Sequence, residues 1–407
     1  MKSSTQNLEF KSEIKQLSNM DEKNWVRFKL KKGEKIFACK RCMTLSTRPR
    51  AQYDNQGICN ACHHTEAKRN GTINWDQRWK YLEKLCDEHR SKNGDFDCIV
   101  PGSGGKDSMY VAWKMKHELK MHPLCVTLTP QMPTEIGRKN FDIWVDHGFD
   151  NIFVSPDPEA YRKLATVGFV ESGQPKMPFV SGITTAVLKV AMKFDIPFVM
   201  YGDEGETEYG GVTKLAEKPY MNRKETMEYY FSKDDPTVHI GKIGITKEDV
   251  RWWMFPSQEE MDESGVFMVF WSWFEDWDPY DHYLFAKKHC GFMELPHRSI
   301  GTYTNFAQLD DDLQDLHAYL MWVKFGFGRC WSDACIDIRR GAMDRKQAKA
   351  LIKAYDGEFP EPYLKKYCDY FKMTEEEFWE TVDSFRSQDI FEKVAGKWKV
   401  KFDIDSL

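Results

Sequence analysis

The chain reads as an α/β protein built on a doubly wound parallel sheet, with a small cysteine module in front of the sheet and a helical region behind it. Three observations predict this. Between Phe96 and Tyr201 short apolar runs alternate with longer amphipathic stretches, the pattern of strands covered on both faces by crossover helices. The first run, Phe96-Asp-Cys-Ile-Val-Pro101, passes directly into a glycine-rich turn and then an amphipathic stretch, the order in which such sheets bind ligands at strand C-terminal ends. With 407 residues the chain also exceeds a single hydrophobic core, so further domains are expected.

Taken in order, residues 1–35 are polar and lysine-rich and read as an extension to which no chemistry is assigned. Residues 36–72 carry Cys39, Cys42, Cys59 and Cys62 in a C-x2-C-x16-C-x2-C pattern, the spacing of a four-thiolate zinc site. So short a segment needs the metal to fold, and with all four positions filled by protein the ion is structural. His63 and His64 follow the last cysteine as alternative ligands. Lys40, Arg41, Arg48 and Arg50 leave open a zinc ribbon that reads nucleic acid.

Residues 73–220 form the sheet domain. A linking helix spans Ile73 to Arg90, and the first strand, Phe96 to Pro101, feeds a helix from Ser108 to Lys120. A second strand, Leu124 to Leu128, is followed by a helix from Glu135 to His147 and a third strand from Asn151 to Val154. Helices Pro158 to Val167 and Gly182 to Phe194 precede the strand Pro197 to Tyr201. Cys98 and Cys125 lie within strands, where a free thiol acts as a small hydrophobe. Residues 221–407 then read as helical, aromatic and charged, with the sheet pattern lost. Their aromatic block, Trp252 to Tyr283, suits a core, a sugar-stacking wall or a partner surface.

Two loops carry the chemistry. Pro101-Gly-Ser-Gly-Gly-Lys-Asp-Ser108 combines glycines that approach an anion closely, the hydroxyls of Ser103 and Ser108, the charge of Lys106 and a helix N-terminus. Neither the G-x-x-x-x-G-K-[ST] nor the G-x-G-x-x-G spacing is met. The second loop, Gly202-Asp-Glu-Gly-Glu-Thr-Glu-Tyr-Gly-Gly211, starts where a strand stops. That placement lets Asp203 and Glu204 face the same phosphates through a hard cation such as Mg²⁺.

Ser-Gly-Gly-Lys-Asp-Ser resembles the PP-loop of the N-type ATP pyrophosphatases, which adenylate an oxygen and release pyrophosphate. Together with the cysteine module, the acidic loop and the late run Lys324-Phe-Gly-Phe-Gly-Arg329 to Ile338-Arg-Arg-Gly341, the order is similar to that of the N-acetyl sugar amidotransferases of surface-polysaccharide (lipopolysaccharide, O-antigen) and pseudaminic acid biosynthesis. The resemblance implies a HUP-like fold and conversion of an acetamido to an acetamidino group. ATP and Mg²⁺ would then be held by Ser103, Gly104, Gly105, Lys106, Asp107, Ser108 and Gly202, with backbone groups of Val126 and Thr127 at adenine. Lys106, Asp107, Asp203 and Glu204 are the catalytic candidates, and Arg329 and Arg339 candidate contacts to a substrate carboxylate. It also implies a separate glutaminase and an ammonia-channelling synthase subunit. The chain has no cysteine next to its initiator, and Gly328-Arg-Cys330-Trp-Ser332 is only half of a glutaminase elbow.

A tRNA-thiolating PP-loop enzyme is the competing enzyme class, and a nucleotide-binding zinc scaffold the non-catalytic one. A net charge of −5 argues against a broad nucleic-acid surface. The polar N-terminus and the lack of an apolar run of membrane-spanning length predict a cytoplasmic protein without membrane contact. Eleven cysteines, four of them in close pairs, fit a reducing compartment.

Overall fold

A computed structural model describes residues 29–231 and 235–407, so the first 28 residues of the expected extension lie outside it. The cysteine module closes on helix α1, Asn60–Arg69, and is followed by α2, Trp75–His89. The sheet domain then runs β1 Cys98–Pro101, α3 Lys106–Trp113, β2 Pro123–Leu128, α4 Glu135–Asp146, β3 Asn151–Val154, α5 Pro158–Ser172, α6 Met177–Phe194, β4 Phe198–Tyr201 and α7 Gly205–Tyr209. Helix α3 continues through a wider π turn at Lys114–Glu118. Helices α8, Arg223–Tyr229, and α9, Gln258–Ser264, lead to β5, Phe267–Phe270. The rest is helical: α10 Trp271–Phe274, α11 Pro279–Cys290, α12 Leu313–Phe325, α13 Arg329–Arg340, α14 Arg345–Tyr355, α15 Leu364–Phe371 and α16 Glu375–Ser384. A hairpin, β6 Phe391–Val394 with β7 Lys397–Val400, follows.

The sheet is parallel throughout, in the order β3-β2-β1-β4-β5. The chain winds outward from β1 in both directions, which puts the switch point between the C-terminal ends of β1 and β4. Residue alternation splits the core. Ile99, Leu124, Val126, Leu128 and Val199 pack under α5 and α6, while Cys98, Val100, Cys125, Phe198 and Met200 pack under α2, α3 and α11, as a period of two requires.

Two expectations need correction. The sheet is not lost after residue 220: Phe267–Phe270 is its fifth strand, paired with β4 from Phe198↔Phe267 to Tyr201↔Phe270. The aromatic run Phe267 to Phe274 has no helix or strand period of its own, and packing divides it into a strand and one helical turn. An apolar segment of membrane-spanning length does exist, since α6 meets that test by length and composition. However, 61% of it is buried inside the protein, where it covers β1, β2 and β4.

The module does not pack as a separate unit. It shares one hydrophobic cluster with α13 and α14, and Trp331 Nε1 donates to the Met43 carbonyl at 2.8 Å. Arg345 Nη1 donates to the Cys39 carbonyl at 2.7 Å, and Thr47 Oγ1 to that of Phe325 at 2.6 Å. The first and last thirds of the chain thus close over the C-terminal edge of the sheet.

Candidate active site

The loop after β1 is shaped by close approaches that only glycine permits. A Cβ on Gly102 would lie 2.3 Å from that of Ser108, and Gly104, at φ +81°, would place one 2.7 Å from the Phe141 backbone. Gly105 precedes the first turn of α3 with no side chain capping it; it lines the cavity, and a Cβ there would meet only Ser103 Oγ, at 3.9 Å. The first N–H groups of α3 therefore face a cavity, a cradle for phosphate oxygens. Ser108 Oγ braces the turn by donating to the Gly105 carbonyl at 2.9 Å.

Lys106 is 6% exposed and its ammonium pairs with Asp107 Oδ2. The other carboxylate oxygen meets Nδ1 of His282 at 3.0 Å. Burial alone would raise the Asp107 pKa, but the Lys106 charge and the His282 bond outweigh it and bring the group down to about 2. His282 is itself fixed, stacked on Tyr110 at 4.1 Å and met edge-on by Trp277 at 4.3 Å. It sits 175 residues from Asp107, inside the aromatic block, and no sequence spacing pointed to it.

At the end of β4 the two acidic candidates separate. Asp203 turns into the site, where burial and the neighbouring Asp107 charge push its pKa up to about 6. Asp107 and Asp203 both line this space and each feels the other's charge, so they are the two carboxylates that could share a hard cation. Glu204 does not join them. Its carboxylate accepts the N–H groups of Glu206 at 3.1 Å and Thr207 at 2.8 Å, making it the cap of α7, with a pKa raised to about 7 by burial. The other loop carboxylates are taken by the cysteine module. Glu206 pairs with Arg50, and Glu208 with Lys68 at 2.9 Å and His64 at 3.2 Å.

Two cavities meet here. The first, about 340 Å³, is lined by the whole glycine loop, Val126, Leu128, Phe179, Ile183, Tyr201, Gly202 and Asp203. Its apolar wall beside a phosphate cradle fits an aromatic base and its phosphates. Val126 lines this cavity but Thr127 does not. The Thr127 side chain lies on the other face of β2, where it accepts from Asn151 Nδ2 at 2.9 Å. The second cavity, about 380 Å³, lies between the cysteine module and the helices α12 and α13. It is lined by Thr44, Arg48, Tyr209, His317, Arg329, Asp333, Asp337 and Arg339, among others. Lys106, Asp107, Asp203, Phe306, Gln308 and Gln314 belong to both. Arg329 is where the sequence placed it, though its Nε is held by Asp333 at 3.0 Å. Arg339 reaches the Cys42 sulfur at 3.6 Å; burial acts against its charge, and Cys42, Cys335 and Cys59 together outweigh it.

The four expected cysteines form a buried cluster with all sulfurs within 4.8 Å of one another. Cys39 and Cys62 lie 3.8 Å apart, Cys42 and Cys59 3.5 Å. A tetrahedral ion with metal–sulfur bonds of ~2.3 Å has sulfur–sulfur edges of ~3.8 Å, so the set fits one closed metal centre. Hydrogen bonds from Cys335, then from Cys39, Cys59 and Cys62, hold the Cys42 thiol well below its usual range. The adjacent histidines are engaged elsewhere, His63 with Asp54 at 2.9 Å and His64 with Glu208. Cys330 is fully buried, and burial, then Asp356 and Asp333, push its thiol up.

Residues 300–403 match the family "LPS biosynthesis protein WbpG-like, C-terminal domain". Among solved structures, NMN synthetase from Francisella tularensis aligns with a TM-score of 0.25 at 12% identity, over 48% of this chain and 82% of its own. The U34-tRNA thiolase NcsA from Methanococcus maripaludis, solved with its 4Fe-4S cluster, aligns with a TM-score of 0.28 at 11% identity, over 76% of this chain and 88% of its own. Scores this low bear on neither fold nor function. A Methanocaldococcus jannaschii protein, described as uncharacterized protein MJ1599, is 32% identical over 207 residues, which are 49% of this chain and 73% of that protein. By that similarity the chain belongs to the family of the archaeal protein, and it carries a WbpG-like C-terminal domain over residues 300–403.

Proposed function

We propose that the protein is an ATP-dependent amidotransferase that converts an acetamido group of an N-acetyl sugar into an acetamidino group, in the biosynthesis of a surface polysaccharide or nonulosonic acid. The observation that carries this reading is the shared boundary of the two cavities. Lys106, Asp107 and Asp203 stand where a nucleotide-shaped space opens into a second polar space, the geometry for transferring an adenylyl group to a second substrate. Much of that second space, from Thr304 to Arg340, is built by the region that matches the WbpG-like domain, and this supports a sugar as the acceptor.

In the proposed reaction the acetamido oxygen attacks the α-phosphorus of ATP, and the bond to the β-phosphate oxygen breaks to release pyrophosphate. Ammonia adds to the carbon of the resulting O-adenylyl imidate, and AMP departs with the original oxygen, leaving the amidine. The open first turn of α3, Lys106 and Ser103 hold the β- and γ-phosphates as charge builds on the leaving pyrophosphate. Asp107 and Asp203 would hold Mg²⁺, which would supply charge neutralisation at the phosphates. The module metal, taken as Zn²⁺, is structural. Ammonia comes from a separate glutaminase, with a synthase subunit channelling it; the buried Cys330 with its raised thiol supports that division of labour.

Thiolation of tRNA would need a sulfur route, often through catalytic cysteines beside the loop, and a basic face for the tRNA. Cys98 and Cys125 are fully buried in the core. Cys335, the one cysteine among the residues lining the two cavities, has its thiol pushed up by burial. Incubation with ATP, Mg²⁺, isotopically labelled ammonium and a panel of acetamido sugars, read by mass spectrometry, tests the proposal. The expected result is labelled nitrogen in the sugar with AMP and pyrophosphate in equal amounts. Formation of ADP and phosphate, or AMP without nitrogen transfer to any sugar, sinks it.

A further inference from the structure

We propose that Arg48, delivered by the metal module into the second cavity, binds an anionic group of the acceptor, a carboxylate or a phosphate, and so determines acceptor specificity. The inference rests on the acceptor occupying that cavity. It begins from a charge ledger of the cavity's arginines. Arg329 is satisfied by Asp333, and Arg340 by Asp337 at 2.7 Å. Arg339 lies against the Cys42 sulfur. Among the described residues no hydrogen bond or ion pair reaches the Arg48 guanidinium, which lies 5.7 Å from the centre of the Phe327 ring.

Arg48 is half-buried, and both burial and the neighbouring Arg339 charge act against its cation. A guanidinium kept in such a place without a counterion is a fork for one, and its planar donors match the paired oxygens of a carboxylate or phosphate. A second group on the same wall also lacks a partner. His317 lines the cavity, and its buried Nδ1 has no hydrogen bond. Burial, then the charges of Lys324 and Lys176, hold it neutral, with a pKa of about 3. The ring therefore adds no charge to this wall of the cavity.

The placement of Arg48 is built in. Thr47 next to it is tied to the Phe325 carbonyl, and the Arg48 N–H closes a turn onto the Leu45 carbonyl at 2.9 Å. Leu45 in turn belongs to the fully buried heart of the module. The cavity that holds Arg48 also includes Lys106, Asp107 and Asp203. An acceptor gripped by its anionic group at Arg48 is thus oriented remotely, and its acetamido oxygen is presented at the other side of the same space.

The test uses the full-length protein with Mg²⁺ and a saturating non-hydrolysable ATP analogue, so that the glycine loop is already filled. Acetate and inorganic phosphate are titrated separately by calorimetry into wild type, Arg48→Met, Arg48→Lys and the control Arg41→Met, whose exposed partner is Glu66. At least one anion should bind wild type in the millimolar range. Arg48→Met should weaken it roughly 10- to 100-fold, the loss of a charge-assisted hydrogen bond. Arg48→Lys should fall between, Arg41→Met should match wild type, and the affinity for the ATP analogue should stay constant. Tighter acetate binding assigns the group to a sugar carboxylate, and tighter phosphate binding to a nucleotide-linked carrier. Absence of anion binding in wild type, or equal binding by Arg48→Met, overturns the proposal. Should Arg48→Met lose its metal or fail to fold, Arg48→Lys decides, and undiminished binding there is the overturning result. Binding is read without turnover, so a failure of amidation leaves this outcome standing, and the reverse also holds.

Discussion

Asp203 supplies the sharpest perturbation, because its predicted role carries a stability signature of its own. Moving an aspartate from 3.8 to about 6 means that its charged form costs the folded state about 3 kcal/mol, at 1.36 kcal/mol per factor of ten in acidity. The folded chain holds this proton more tightly than the unfolded chain. The contribution is therefore fully present below pH 3.8, is lost as pH rises through about 6, and is absent at neutral pH. Asp203→Asn keeps an acceptor for the Tyr209 hydroxyl, adds a donor toward Asp107 and removes the charge. Thermal unfolding without nucleotide should show the variant equal to wild type near pH 4 and more stable from pH 7 upward, by about 1–3 kcal/mol after imperfect amide packing. Mg²⁺ with an ATP analogue should then stabilise wild type far more than the variant, since the cation removes the same repulsion. A stability difference that does not change with pH, or equal stabilisation of both proteins by Mg²⁺ and the analogue, would falsify the cation-site assignment.

Three further substitutions probe the remaining assignments. Lys106→Ala should lower AMP and pyrophosphate formation by at least roughly 10²–10³-fold while circular dichroism stays native; an unchanged rate would remove the glycine loop from the mechanism. Glu204→Ala should cost about 1 kcal/mol, the value of a helix cap, and leave Mg²⁺ affinity intact, so loss of Mg²⁺ binding in a folded variant would restore Glu204 to the metal site. Cys59→Ser should lose the bound ion and soluble protein together. Elemental analysis of wild type should find about one zinc per chain, and iron in its place would overturn the zinc assignment.

The strands β1 to β4 were legible because Ile, Val, Leu and Phe runs of four to six residues are separated by amphipathic stretches of helical length. The fifth was not. Phe267 to Phe274 is continuously aromatic or apolar apart from Ser272, and what makes Phe267 strand is tertiary, its ring stacked on Phe198 at 5.6 Å. The same division runs through the site. The glycine loop announced itself because its contacts are local, Gly102 against Ser108 and Ser108 onto Gly105. The bond between His282 and Asp107 joins two layers of the fold, and no local pattern encodes it. Asp203 and Glu204 are adjacent acids after one strand, and only the turn into α7 aims the first at the cavity and ties down the second. The expected part of Thr127 is a backbone one, and its side chain points away because Val126 and Leu128 share the cavity face of the strand.

The cysteine module was legible as a candidate metal site but not as a wall of the second cavity, and its place there alters what a structural metal would mean in this protein. Of the carboxylates between Gly202 and Gly211, Glu206 is paired with Arg50 and Glu208 with Lys68, all from the module side, and Glu208 also meets His64. Glu204 is spent on the helix cap. Asp203 is thus left as the loop's one carboxylate facing Asp107, and the specificity of the proposed cation site would depend on counter-charges that the cysteine module provides. The same segment forms the wall of the second cavity at Thr44 and Arg48. Loss of the metal should therefore impair phosphate-side and acceptor-side binding together, even though the ion touches neither substrate. A metal that only held an appended domain would leave the glycine loop, α3 and β4 with their affinity for nucleotide unchanged.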